Sequence, residues 1–515
     1  MDDLGRSCIW GATGPEAADL DPGTAEALCP PVHAFVACYA ANGTYEMSIT
    51  FHAEVEVVLF DIAITPEHDI VIAGFHDGAI DVDPGPGETI LSGSQPFLLA
   101  RYSSAGELLW AHSSGLSDQS LLRQVEVDGA GDLIVSGSYW NATADIDPGP
   151  GVVPLSGMPN RWNWFLAKFS GAGDFQWVRS FQPAYYFSAW PVFRVDADDG
   201  IWFASGFQDT VDVDMGEGIS AFIADGFDDV VVAHYDADGA LTWAGQLTGP
   251  AYTTVHDLAI DGLGRAILTG ITVQDTVDLD PTGGIDTYVP AASDTMQGWW
   301  SIIGPTGSYV GGGTMGTNGQ ARPASVCAED GGRFYLTGWC TSIDLNGDPY
   351  DQAGGGDAFV LAMEVDGSPR YAFTLASEAY ENGVGIALGP GNDLFVSGHA
   401  QAAFDADPGP AVVTEQPPPN GGIFLARYGS APLGVRPSFI PDDPAFWPVP
   451  VSDLLTVRGD GPGSWTLLEA DGRVIAEGPA SAGTFTIPMG AHPPGAYLLR
   501  TVTKAGVRSG RVVKQ

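Results

Sequence analysis

Through the first 430 residues, short apolar or alternating runs are cut at regular intervals by Gly, Pro, Asp and Asn. Residues 59–64 (LFDIAI) and 192–196 (VFRVD) alternate, whereas 97–100 (FLLA), 230–233 (VVVA) and 359–362 (FVLA) are continuously apolar. Runs this short, with period two or none, predict β-strands, and no helical period of useful length interrupts them. A recurring glycine marks one of these runs in each unit, at Gly74, Gly137, Gly206, Gly270, Gly338 and Gly398. A strand glycine suits close approach of a neighbouring backbone.

The runs recur in a fixed order. An alternating strand (a) and a turn precede the glycine-bearing strand (b). An acidic loop, an apolar strand (c), a short turn and a strand (d) often carrying Trp follow, as at Trp110, Trp177 and Trp243. The acidic loop reads DVDPGPG from Asp81, DIDPGPG from Asp145, DVDMGEG from Asp212, DLDPTGG from Asp278 and DADPGP from Asp405. DLDPG opens the series at Asp19, and DLNGDP at Asp344 is a decayed copy. These seven starts lie 61 to 67 residues apart, so the segment is one repeat used seven times. Four short strands per unit predict an all-β fold, a β-propeller of four-stranded blades, with seven blades expected and six the alternative. The first unit has a strand b at 8–11 but no strand a, and the last has no strand d after Tyr428.

The paired aspartates admit two readings. Closely spaced oxygen donors followed by glycine suit calcium, which takes six to eight oxygens. The candidate ligands are Asp19, Asp21, Asp81, Asp83, Asp145, Asp147, Asp212, Asp214, Asp278, Asp280, Asp405 and Asp407. Yet the residue between each pair is apolar, and in an extended segment it faces the core while the carboxylates cap the turn that Pro-Gly begins. The turn reading is the expectation, with calcium second. Paired carboxylates also serve glycoside hydrolysis, but near-identical pairs in every unit leave no one special copy. The nine histidines do not follow the repeat. Aromatic clusters at 161–165, 185–187 and 299–300 read as blade packing before sugar stacking.

Net charge is −44, and it resides entirely in the first 436 residues, with 57 acidic and 13 basic residues; the remainder holds 7 of each. Lysine occurs only at Lys168, Lys504 and Lys514. Such a surface argues against nucleic acid and anionic membrane as partners, and the shift marks a domain boundary. We therefore expect a propeller over 1–430, a Pro-rich linker over 431–446 and a small β-sandwich over 447–515, where short strands are split by DG, GPG and PPG turns. No apolar run is long enough to span a bilayer. The N-terminus has neither the basic nor the apolar region of a signal peptide, from which a truncated start is expected. Of five cysteines, Cys327 and Cys340 fall on one hairpin but out of register for a disulfide.

The strand-b glycine, DxDPGPG, FLLARY or FLAKF, and G-x-x-x-W together resemble bacterial SBBP-type β-propeller repeats, over about residues 8–430. The end of the chain resembles the type A C-terminal sorting domain of the type IX secretion system. Residues 446–457 (FWPVPVSDLLTV) resemble its opening, with Val449 where that pattern has Asn; 467–475 its central hairpin; 494–500 (PGAYLLR) its Gly-x-Tyr strand; and 511–515 its basic terminus. The sorting-signal residues this implies are Pro448, Pro450, Asp471, Gly472, Gly495, Tyr497, Arg511 and Lys514. The resemblance implies a secreted or cell-surface binding or scaffold module. Its partners would be the type IX machinery and a protein or glycan ligand, and no cofactor beyond possible calcium is expected. Rival readings are a polysaccharide-active hydrolase or lyase with its site in the channel, and a calcium-stiffened structural surface protein.

Overall fold

The computed structural model describes residues 2–514 apart from 3, 15–16, 24, 32, 52–55, 115–118, 141–142, 161, 184–185, 188–189, 251, 274–275, 290–295, 316–319, 342, 346–347, 351–355, 408–412, 418–420, 430–445, 448–453, 460–461, 470–472, 491, 494 and 504–505. Among the described residues there is no α-helix, and a single 3₁₀ turn spans Pro390–Asn392. The chain divides into two compact units, Met1–Leu433 and Gly434–Gln515.

In the first unit the main sheets follow one another along the chain, each an antiparallel meander. The second sheet shows the plan: Val57–Ile64, Ile70–His76, Phe97–Tyr102 and Leu108–Ser113 pair in that order. Its two middle strands are buried on both faces, with Ile70, Val71, Ile72 and Ala73 at 0% exposure. That is why they read as continuous apolar runs rather than alternating ones. Each core is a layer between two successive sheets. One joins Val36 and Ile49 to Ile70 and Leu98, the next Val71 and Phe97 to Leu122 and Phe165, and then Ile134 and Leu166 to Phe203 and Val231. The series continues through Ala204 with Leu268, Ile267 with Leu361, and Val360 with Tyr428.

The last sheet returns to the first. The Arg427 guanidinium donates to the carbonyl of Ala41, and Gly5 packs against Pro390. A closed array of sheets stacked face to face is a β-propeller arrangement. The first sheet consists of Ser7–Ala12, Ala34–Tyr39 and Tyr45–Phe51, and the last of Glu381–Leu388, Leu394–Ala400 and Gly422–Tyr428. Among the described residues the first sheet thus shows no inner strand of the plan and the last no outer strand. A disulfide joins Cys8 to Cys38, which face each other across the first sheet.

Two local features explain the repeat's glycines. Each inner strand except Val192–Val195 carries a bulge, at Phe60, Arg123, His256, Ala324 and Val384, where the pairing skips one residue. A Cβ at Gly270 would lie 1.9 Å from the carbonyl oxygen of Thr254, next to the bulge. The backbone that approaches the strand-b glycine is therefore its own sheet's inner strand. The glycine of the c–d turn serves the neighbouring sheet instead. Gly173, with φ of 89°, receives the indole of Trp110 from the preceding sheet. Trp110, Trp177 and Trp243 are accordingly half-buried, packed against the apolar layers at the sheet edge.

The second unit holds two sheets. One is Phe446–Trp447, Leu454–Gly459 and Gly483–Pro488; the other contains Gly463–Glu469, Val474–Ala480, Gly495–Thr503 and Gly506–Lys514. Leu455, Val457, Leu467, Ile487, Met489, Tyr497 and Leu499 form their common core.

Candidate functional site in the channel

The acidic loops do not end strand b directly. Each tips a small ribbon between strands b and c, two-stranded in Gly78–Asp81 with Ile90–Gly93 and widened by Gln182–Pro183 in Thr210–Asp212 with Ala221–Ile223. The ribbon exists because the apolar residue of the loop plugs into the core: Val82, Ile146, Val213 and Leu279 are all buried. Asp81 Oδ1 accepts the amides of Asp83 at 3.1 Å and Thr89 at 2.9 Å, and Asp83 Oδ1 accepts that of Gly85 at 2.8 Å. The first aspartate repeats this pair of bonds at Asp19, Asp145, Asp212, Asp278 and Asp405. The second repeats its bond at Asp21, Asp147, Asp214 and Asp280. A buried tyrosine closes several loops from beneath, Tyr102 donating to the Val82 carbonyl at 2.9 Å and Tyr235 to that of Val213 at 2.8 Å. Each loop thus offers calcium two carboxylates already bonded to amides, short of the six to eight oxygens that ion takes. Among the described residues no three His, Cys, Asp or Glu side chains gather as a metal site.

Of the sorting-signal residues, Pro448, Pro450, Asp471 and Gly472 lie outside the described residues, as does the 431–446 linker up to its last position. Gly495 and Arg511 lie in strands, and Lys514 ends one. Tyr497 is buried, its hydroxyl donating to the Pro493 carbonyl at 2.6 Å.

The chemistry-bearing cavity lies instead along the axis of the first unit. It holds about 700 Å³ and is lined by inner strands of successive sheets and, where the first sheet shows none among the described residues, by Trp10. Bulges aim side chains that regular pairing would hide, and four of the five skipped residues, Phe60, Arg123, Ala324 and Val384, line the cavity. The fifth, His256, brings Nδ1 within 2.6 Å of the Pro323 carbonyl of the next sheet, and burial lowers its pKa.

After three of the five bulges the next residue clips one sheet to the following one. Asp61 Oδ2 accepts the Val125 amide at 3.0 Å. The Gln124 carboxamide accepts from the Phe193 amide at 3.1 Å and donates to its carbonyl at 2.7 Å. Asp257 Oδ2 accepts the Val326 amide at 3.0 Å and the Ser325 hydroxyl at 2.8 Å. Between these clips Arg194 reaches Glu126 at 3.2 Å and Asp257 at 2.9 Å. Burial alone would lower the Arg194 pKa, but Asp257, Glu126 and Asp61 reverse that and hold it above its ordinary value. Burial raises Glu126 and pushes Asp61 up to about 7, against the opposing Val125 amide. Asp61, Glu126 and Asp257 all line the cavity.

Arg123 is held differently. Its guanidinium carbon stands 3.8 Å from the centroid of the Phe60 ring and 3.4 Å from that of Trp190. Desolvation lowers its pKa to about 10, leaving it charged at neutral pH. Its Nε is buried and has no hydrogen-bond partner. The platform is braced from behind, Trp190 edge-on to Trp164 at 5.2 Å and Phe60 stacked on Phe75 at 5.9 Å.

Sequence reasoning places the candidate chemistry on the loops and misses Asp61, Arg123, Glu126, Trp190, Arg194 and Asp257. The available signal was a charge inside an otherwise apolar inner strand, Asp61 in VVLFDIAI and Arg194 in VFRV.

No family model and no curated protein matches the chain. Solved structures share partial likeness. A protein of unknown function from Bacteroides caccae is 8% identical, with 71% of this chain and 93% of that one covered and a TM-score of 0.35. A PL25 ulvan lyase bound to a glucuronate–rhamnose-3-sulfate saccharide is 11% identical, with 83% and 94% covered and a TM-score of 0.38. PorZ, a surface component of the type IX secretion system of Porphyromonas gingivalis, is 11% identical, with 95% and 86% covered and a TM-score of 0.19. At these scores the likenesses carry no functional argument.

Proposed function

We propose that residues 1–433 form a seven-bladed β-propeller that acts as a binding or scaffold module outside the cell or on its surface. Its ligand enters the channel, and the second unit is a β-sandwich that addresses the protein to type IX export. The observation that carries the binding reading is the 700 Å³ channel cavity, of the size of small-ligand sites and lined by aromatic faces among a few fixed polar groups. The Cys8–Cys38 disulfide supports an oxidising compartment. Among the described residues no helix is long and apolar enough to cross a membrane.

Binding is favoured over catalysis because each channel carboxylate is already engaged, Asp61 and Asp257 by amides and Glu126 by Arg194. The rival enzymatic reading has one observation in its favour, the Asp61 pKa near 7, the range of a general acid or base. Screening the full chain against a panel of oligosaccharides, with Ala324→Trp as a channel-filling variant, tests the proposal. Binding abolished by the filled channel is expected; binding that survives it places the ligand elsewhere, and product formation that Asp61→Asn removes makes the protein an enzyme. The export reading is tested separately, by giving the chain a signal peptide in a type IX-competent bacterium. Deleting 447–515 should then keep it from the surface.

A further inference from the structure

We propose that Arg123 is the anion-binding group of the channel, and that the ligand is an acidic saccharide whose carboxylate lies against its edge. The inference rests on the channel being the binding site and names the chemistry of what binds there.

Of the two arginines that line the cavity, Arg123 and Arg194, only Arg194 has an acid beside it among the described residues. Arg6, Arg101, Arg265, Arg333 and Arg427 each pair with a carboxylate, and Arg194, in the same channel, holds two. Carboxylates outnumber cationic side chains several-fold in this chain, yet no ion pair or hydrogen bond to Arg123 is found among the described residues. Phe60 and Trp190 both pack against its guanidinium, whose N–H donors lie in its plane. A guanidinium fixed in this way presents parallel N–H groups that match a carboxylate in two-point fashion. Stacking also prepays the entropy of ordering a long side chain.

The aromatic lining argues for a saccharide over a small inorganic anion. Trp190 is 51% and Trp10 40% exposed, and both line the cavity, offering apolar faces to the C–H side of a pyranose ring. Asp61, Glu126 and Asp257 line the same cavity and would repel a compact dianion more than a monoanion carried on a neutral ring.

The test is a tryptophan-fluorescence titration of the full chain with a trisaccharide that carries a single glucuronate, its carboxyl-reduced neutral counterpart, and inorganic sulfate. The acidic trisaccharide should bind at least about tenfold more tightly than the neutral one, the worth of a charged hydrogen bond. Arg123→Gln should erase that preference, and Arg123→Lys, which keeps charge but not the planar fork, should lose most of it. A melting curve shows that each variant is folded; should Arg123→Gln not fold, Arg123→Lys alone decides. Equal affinity for acidic and neutral probes, or a preference that survives in the variants, overturns the anion assignment while leaving the channel as the ligand site. Sulfate binding as tightly as the trisaccharide overturns the saccharide. Binding of none of the three overturns the inference, and only the wider oligosaccharide panel then bears on the channel.

Discussion

At the scale of single residues, the same side-chain type does opposite work in two places. In the loops, Asp81 Oδ1 accepts two amides that no other group satisfies, so its charge organises backbone. Asp81→Ala should cost about 1–3 kcal/mol through the unpaired donors and lower the melting temperature with or without calcium. Calcium added to a chelated sample should leave the parent's midpoint unchanged, since only an ion bound by the native state raises it. A calcium-dependent rise, lost in Asp81→Ala, would make the loops ion sites. In the channel, Asp61 has its pKa pushed up to about 7 by burial, against roughly 4 for an ordinary Asp. The folded state then holds that proton more tightly than the unfolded chain, so the contribution to stability is largest below about pH 4. It declines as pH rises to about 7 and is fully lost above. Asp61→Asn should therefore gain on the parent between pH 5 and pH 8, by roughly 2 °C in midpoint; a difference that stays flat across that range would place the Asp61 pKa at its ordinary value. The loop aspartates were legible because seven copies announced them. The channel residues were not, because each occurs once and only the closure of the sheets brings them together.

At the scale of elements, the strand order and most strand limits could be read from apolar runs and Gly-Pro-Asp punctuation, as Phe97–Tyr102 and Ile70–His76 illustrate. The inner-strand bulges could not, since one skipped residue leaves no mark in an alternating pattern. Their indirect trace is the strand-b glycine. Gly270 faces a backbone carbonyl at 1.9 Å from the place of a Cβ, whereas Gly131 has positive φ and open space. Gly270→Ala should accordingly cost about 3 kcal/mol or more, because backbone must shift in a packed sheet. Gly131→Ala should cost only about 1 kcal/mol, for its left-handed conformation. Urea denaturation of the two variants checks the ranking, and equal losses would show that the bulge yields. The disulfide illustrates the same limit of sequence reading. Cys8 sits on a predicted strand, but its pairing depends on a register in which it directly faces Cys38.

At the scale of the whole first unit, the layers between sheets are apolar throughout the chain-ordered series, but the return from last sheet to first is made differently. There, among the described residues, each sheet has three strands instead of four, and the inner-strand clips that run from Asp61 to Val125, Gln124 to Phe193 and Asp257 to Val326 show no counterpart at Gly385 or along Ser7–Ala12. What does cross the seam is Arg427, donating to Ala41 while ion-paired to Asp393, as Arg101 donates to Gly171 of the next sheet while ion-paired to Asp69. It is partly exposed, so its removal should cost little global stability, at most about 1 kcal/mol. Its effect should be local, because proteins open first where few buried contacts hold. In Arg427→Ala, amide hydrogen exchange should accelerate in Ser7–Ala12 and Gly422–Tyr428 before it changes in the middle sheets. Acceleration spread evenly over all the sheets would mean that the ring opens as one cooperative body, with closure carried by apolar packing rather than by this arginine. The outcome also bears on the ligand, since Trp10 reaches the cavity from the strand beside that seam. A seam that opens easily would therefore loosen one wall of the cavity.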